Sequence, residues 1–280
     1  MNSRVAVNVA LFLLSAGTIA GTAATTLAQR NPGQVHAPSK YLYLGNESIK
    51  PGMEDAVIQN ESSQVQTLRD ANSPVNYLGM ISITGASRAI FFAGYDSFAE
   101  MQKDHEQEMS NSKMQDALKA DNAAEAPMLA GAMGSIYEYR EDLSLNASVD
   151  LSTIRFFDIT LFHIRSGHRQ DWERLVKLYE KAFSSAPDAR WATFEKDYGE
   201  GSDNTFIVVT PLTSLAGVDQ EMLDGNNLPK AAGADQLQMM RELGSATIES
   251  SEADLFAVVP QMSYVPDSWV TASPDFWGKK

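Results

Sequence analysis

Residues 154–185 read IRFFDITLFHIRSGHRQDWERLVKLYEKAFSS. The apolar and aromatic run over Ile154–Ile164 predicts a strand. Ser166-Gly167 interrupts it. From His168 to about Ser185 the bulky residues Trp172, Leu175, Val176, Tyr179 and Phe183 recur every three or four positions, the spacing of an amphipathic helix. Residues 41–72, YLYLGNESIKPGMEDAVIQNESSQVQTLRDAN, follow the same plan. An extended run over Tyr41–Ile49 gives way to Lys50-Pro51-Gly52, which opens a helix reaching about Asn72.

Both units continue alike. In the first, Val75–Thr84 and Ala86–Tyr95 read as strands. Asp96 caps a helix carrying Phe98, Met101, His105 and Met109, and after an Ala-rich stretch over 117–132 the strand Ser135–Arg140 ends the unit. Residues 143–153 read as a polar linker. In the second, Ala189–Tyr198 and Thr205–Leu212 flank the turn Gly199-Glu200-Gly201-Ser202-Asp203. A helical region broken near Gly225–Pro229 runs to about Glu249, and Leu255–Met262 closes the unit. The order β-α-β-β-α-β therefore occurs twice. A shift of about 115 positions sets Gly52 on Gly167, Leu68 on Phe183 and Phe91-Phe92 on Phe206-Ile207.

Helices on one face of a four-stranded sheet leave the other face apolar and in need of cover. The expected class is α+β: two tandem ferredoxin-like halves, residues 29–142 and 154–264, packed face to face as an intramolecular pseudo-dimeric α/β barrel with a tail over 265–280. The element order, the openings at Pro51-Gly52 and Ser166-Gly167, and the series Phe91-Phe92…Asp96-Ser97-Phe98…His105 resemble the dimeric α/β-barrel superfamily over about residues 40–263. That group holds antibiotic-biosynthesis-type monooxygenases, EthD-like and NIPSNAP-like proteins. The resemblance implies cofactor-free oxygenases, haem-handling enzymes, isomerases or proteins with no known activity, and so leaves function open.

Acidic residues outnumber basic ones 36 to 22, for a net charge of −14, which argues against neutralising nucleic-acid phosphates. The chain has no cysteine, which excludes disulfides, thiolate metal sites and a lipid-modified cysteine. Residues 1–28 combine Arg4, an apolar stretch from Val5 to about Ile19 and the small-x-small ending Thr26-Leu27-Ala28, a secretory signal peptide. Export to a bacterial periplasm or exterior follows, and no later segment reads as a membrane span.

Catalytic motifs are missing. Gly131-Ala132-Met133-Gly134 lacks the lysine of a phosphate loop, and Asp104-His105-Glu106 is followed by Met109 where a zinc-binding pair needs histidine. No metal site and no cofactor is read from the sequence, and the carboxylates Asp197, Glu200 and Asp203 belong to a solvated turn. His105 shares the stripe of Phe98, Met101 and Met109 and reads as inward-facing. Asp158, flanked by aromatics, is expected to pair with Arg155 or Arg190, His163 to be structural and His168 to be exposed. The tail residues Trp269, Phe276 and Trp277 are expected to pack across a groove or against a second copy in a homodimer.

One comparison points to a site. Where the second helix carries Trp172, Leu175, Val176, Tyr179 and Phe183, the first carries Val57, Asn60, Glu61, Gln64 and Leu68. Polar groups on a face that meets a sheet need water or a ligand, since each one buried without a partner costs roughly 1–3 kcal/mol. The candidate ligand-binding residues are Asn60, Glu61, Gln64, Tyr77 and His105, with Tyr43 nearby; the alternative is a rotated helix sealed by Val57, Val65 and Leu68. The leading expectation is an exported small-molecule binding or accessory protein. The alternatives are a cofactor-independent monooxygenase- or isomerase-like enzyme and a structural envelope protein. N-terminal sequencing of the exported protein should begin at Gln29, and a mature chain retaining Arg4 would contradict the leader assignment.

Overall fold

A computed structural model describes residues 30–201 and 204–278. The expected signal peptide and Asp203 lie outside the described residues. The first half runs β1 (Tyr41–Ile49), α1 (Glu54–Asp70), β2 (Leu78–Ser82), β3 (Arg88–Tyr95), α2 (Phe98–Ser110), α3 (Ser112–Glu125) and β4 (Leu129–Tyr139). The second runs β5 (Phe156–Ile164), α4 (Arg169–Phe183), β6 (Ala192–Tyr198), β7 (Thr205–Leu212), α5 (Ala216–Ala232), α6 (Ala234–Thr247) and β8 (Ile248–Val258). Two short helices follow, α7 (Asp267–Ala272) and α8 (Pro274–Trp277). Among the described residues no helix is long and apolar enough to cross a membrane.

The strands form one closed antiparallel barrel in the order β1-β3-β2-β8-β5-β7-β6-β4. Within it, β4-β1-β3-β2 and β8-β5-β7-β6 have the same internal order, and the seams β2–β8 and β4–β6 join them. Strand alternation divides the apolar residues between two faces. Leu42, Leu44, Phe92, Phe157, Phe194, Ile207 and Phe256 fill the barrel interior as one shared core. On the outer face Phe91 and Tyr77 cluster with Val57 and Leu68 of α1 and Met101 of α2, and Phe206 and Ile164 with Trp172 and Leu175 of α4 and Met240 of α6. The pairs Phe91-Phe92 and Phe206-Ile207 thus split identically, outer residue first. Gly52 and Gly167 both have positive φ, 78° and 85°, which a side chain would strain.

Several boundaries differ from the sequence expectation. Ser97, not Asp96, caps α2: its Oγ accepts from the Glu100 N–H at 3.1 Å, and Glu100 Oε2 accepts from the Asp96 N–H at 2.9 Å. β4 and β8 start earlier than expected, at Leu129 and Ile248. Their first residues are mostly exposed and are held by ladder pairing to β1 and β5, so no apolar alternation announces them. The break between α5 and α6 falls at Gly233, while Pro229 sits inside α5. Residues 143–153 are anchored rather than loose. Leu143 is fully buried, and its carbonyl accepts from Trp191 Nε1 and Thr193 Oγ1 at 2.9 and 2.7 Å.

The tail packs within its own chain. Trp269 and Trp277 join the interior core and donate from Nε1 to the Arg30 and Ser152 carbonyls at 2.6 and 2.9 Å. The Arg155 guanidinium lies 3.8 Å over the Phe276 ring.

Because the interior core draws on both strand sets, neither covers its own inner face. A fragment of residues 29–150 is expected to aggregate or to dimerise through that face, as size-exclusion chromatography would read; a well-behaved monomer would contradict the shared-core account.

Candidate functional site

The site lies outside the barrel, between β1 and the helices α1 and α3. On β1, Leu42 and Leu44 point into the barrel while Tyr43 and Ile49 pack beneath the helices, so Glu47 shares the helix-facing side. Its cross-strand neighbours there are Ala89 on β3 and Ala132 on β4, small enough to leave room for a carboxylate. α1 buries Val57, Glu61, Gln64, Val65 and Leu68, and α3 ends on buried Glu125. Carboxylate oxygens of Glu47, Glu61 and Glu125 lie within 4.8 Å of one another.

The three are 7%, 3% and 3% exposed. None takes part in an ion pair among the described residues. Gln64 Nε2 donates to Glu61 Oε1 at 2.7 Å, and Glu61 and Glu125 are hydrogen-bonded to each other. Glu47 Oε2 and Glu125 Oε1 are buried without a partner. Loss of water and then the nearby Glu125 charge push the Glu47 carboxyl up to about 8. Burial, then Glu125 and Glu47, push Glu61 well above the ordinary range, and burial raises Glu125. Tyr77, 3% exposed, is raised by burial and then by the field of Glu61. Such a cluster can hold protons near neutrality or accept a cation or a donor-rich ligand.

The same place in the second half is sealed. Phe162 occupies the β5 position that Glu47 holds on β1, beside Phe206 rather than an alanine. Its ring lies 4.8 Å from Trp172, which is 5.4 Å from Phe206. Val176 stands for Glu61. Four residues before the bulges at Leu129 and Ile248, Gly244 stands for Glu125, and a Cβ there would lie 3.9 Å from Leu175.

Of the residues read from sequence, Glu61 and Gln64 meet in the cluster, and Tyr77 lies in its field. Val57, Val65 and Leu68 are also buried, so the helix seals and carries the polar pair on one face. Asn60 is half-buried with Nδ2 unpartnered. His105 is half-buried with Nδ1 unpartnered, and it stands outside the three-carboxylate group. Its expected stripe is corrected: Phe98 and Met109 are 41% and 53% exposed, whereas Met101, Asp104 and Glu108 are buried. Apolarity misled because this inward face is acidic. Among the described residues Asp158 has no ion pair; Arg155 donates to the Ser152 and Ile154 carbonyls and Arg190 to that of Asp188. His163 Nδ1 lies 3.2 Å from Thr205 Oγ1, and His168, 40% exposed at its side chain, contacts Asp171. Sequence reasoning missed Glu47 and Glu125. The signal for Glu47 was a charge in phase with Tyr43 and Ile49 on a strand buried on both faces.

No protein-family profile and no curated protein matches the chain. Solved structures do. A candidate monooxygenase from Fusobacterium nucleatum aligns at TM-score 0.51 and 10% identity, covering 79% of this chain and 93% of its own. An anthrone oxidase-like protein aligns at TM-score 0.53 and 9% identity, covering 85% and 94%. A candidate chlorite dismutase aligns at 0.45 and 16%, covering 83% and 99%. The chain shares the α+β, ferredoxin-like barrel fold of the first two. At these identities the likeness is one of fold alone.

A second acidic pair supplies a pH test. Burial pushes Glu108, which accepts from Ser73 Oγ at 3.2 Å, up to about 7, and Asp104 up to about 6. A carboxyl raised on folding favours the protonated state, so its penalty is absent below about 4.5 and complete above about 7. Stability should therefore fall as pH rises through that window. Glu108→Gln should remove part of the fall, by on the order of 2–3 kcal/mol at pH 8. Urea unfolding of both proteins at several pH values checks this; parallel pH profiles would contradict it.

Proposed function

We propose that the chain is an exported bacterial binding or accessory protein, built as a tandem ferredoxin-like duplication, whose first half keeps a ligand pocket that the second half has closed. The observation that carries this reading is the burial of Glu47, Glu61 and Glu125 without an ion pair among the described residues, with Glu47 Oε2 and Glu125 Oε1 unpartnered, where the other half packs Phe162, Val176 and Gly244. Buried acceptors without a donor favour a ligand that brings positive charge or several N–H or O–H groups. The leader over residues 1–28 supports export to the periplasm or exterior.

The second reading is a cofactor-independent enzyme of the monooxygenase or isomerase type. It is favoured by a carboxyl held protonated near neutral pH, a usable general acid or base, with the buried Tyr77 in the field of the cluster.

Native mass spectrometry of the intact protein from its own source tests the binding reading. An added mass that Glu61→Gln abolishes is the expected result. A bare chain, or an adduct that Glu61→Gln retains, would overturn it. Conversion of that adduct over time by the parent but not by Glu47→Gln would favour the enzyme.

A further inference from the structure

We propose that Glu47, Glu61 and Glu125 bind one divalent cation of the hard, oxygen-preferring class, of which Mn²⁺, Mg²⁺ and Ca²⁺ are members. The inference rests on the pocket reading above and gives its ligand a chemical class.

Three carboxylates come from three separate elements, β1, α1 and the last residue of α3, and their oxygens fall within 4.8 Å of one another. That spacing suits several oxygens converging on one ion, since such ions sit about 2.0–2.6 Å from each ligand. Two buried oxygens, Glu47 Oε2 and Glu125 Oε1, have no hydrogen-bond partner, although both side chains are more than nine-tenths buried. Structural acids this deep are ordinarily matched by lysine, arginine or a set of donors. Among the described residues the donor to the group is Gln64, which donates from Nε2 to Glu61 and is also hydrogen-bonded to Glu125, so it orients both acids as an outer partner orients a metal ligand.

The donor set selects the cation. No histidine nitrogen belongs to the group, and the chain has no cysteine, so softer ions lack the ligands they prefer. The half-buried Asp121, one turn before Glu125, adds negative field to both Glu61 and Glu125. The alternative occupant is the proton, shared between Glu61 and Glu125; a bound cation displaces it and satisfies the orphan oxygens together.

Mn²⁺ is the probe. The full mature chain, freed of metal by chelation, is titrated with Mn²⁺ while the electron paramagnetic resonance signal of the free aqua ion is followed. Loss of signal equivalent to one Mn²⁺ per chain is expected, reversed by excess Mg²⁺ or Ca²⁺, with a rise in Tm on binding. Glu47→Gln and Glu125→Gln should abolish this uptake, and Gln64→Ala should weaken it by about tenfold. The glutamine variants keep shape and remove buried like charge, so their metal-free Tm should equal or exceed that of the parent. Undiminished free-ion signal with the parent, or uptake that survives Glu47→Gln and Glu125→Gln, would overturn the proposal. An organic adduct in the native mass spectrum without Mn²⁺ uptake would overturn the cation while leaving the pocket reading in place. Absence of both would end both.

Discussion

Closure of the barrel covers every strand on its inner face, and the helices of each half cover the outer one. Once the seams β2–β8 and β4–β6 set the register, the alternating residues of the central strand β1 face either the shared interior core or the helices. Glu47 is caught by this constraint. Its neighbours Leu44 and Ile49 are anchored in the inner and outer cores, so its carboxylate must enter the space beneath α1 and α3. The position of the acidic cluster follows from barrel closure rather than from local preference.

The two outer layers meet that constraint in opposite ways. In the second half, Phe162, Trp172 and Phe206 fill the space with rings, and burying each such side chain contributes roughly 1.5–3 kcal/mol. In the first half, alanines at 89 and 132 make room for Glu47, and Glu61 and Glu125 close around it. Desolvating a carboxylate costs several kcal/mol unless a proton, donor or cation compensates. The first half thus forgoes stability that the second half, with the same strand order, shows to be within reach. Such a local loss is characteristic of a site.

Much of this was legible in the sequence, for particular reasons. The 3.6-residue stripe of Trp172, Leu175 and Val176 and its polar counterpart at Asn60, Glu61 and Gln64 stood in equivalent frames, so the asymmetry and two of its residues could be read directly. Glu125 could not, because it ends a helix in an Ala-rich stretch with weak periodicity. The starts of β4 and β8 were hidden because their first residues are exposed and specified only by the partner strand. α2 was misread because acids, not Phe98 and Met109, occupy its inward face. The barrel seams depend on contacts far apart in sequence and have no local signature.

The central claim is that carboxylates are buried in the first half without a charge partner. Nuclear magnetic resonance titration of the metal-free protein carrying ¹³C-labelled glutamate carboxyls measures this directly. One glutamate resonance should titrate near pH 8 and vanish in Glu47→Gln. Titration of every glutamate within about one unit of the ordinary value near 4.3 would contradict the account.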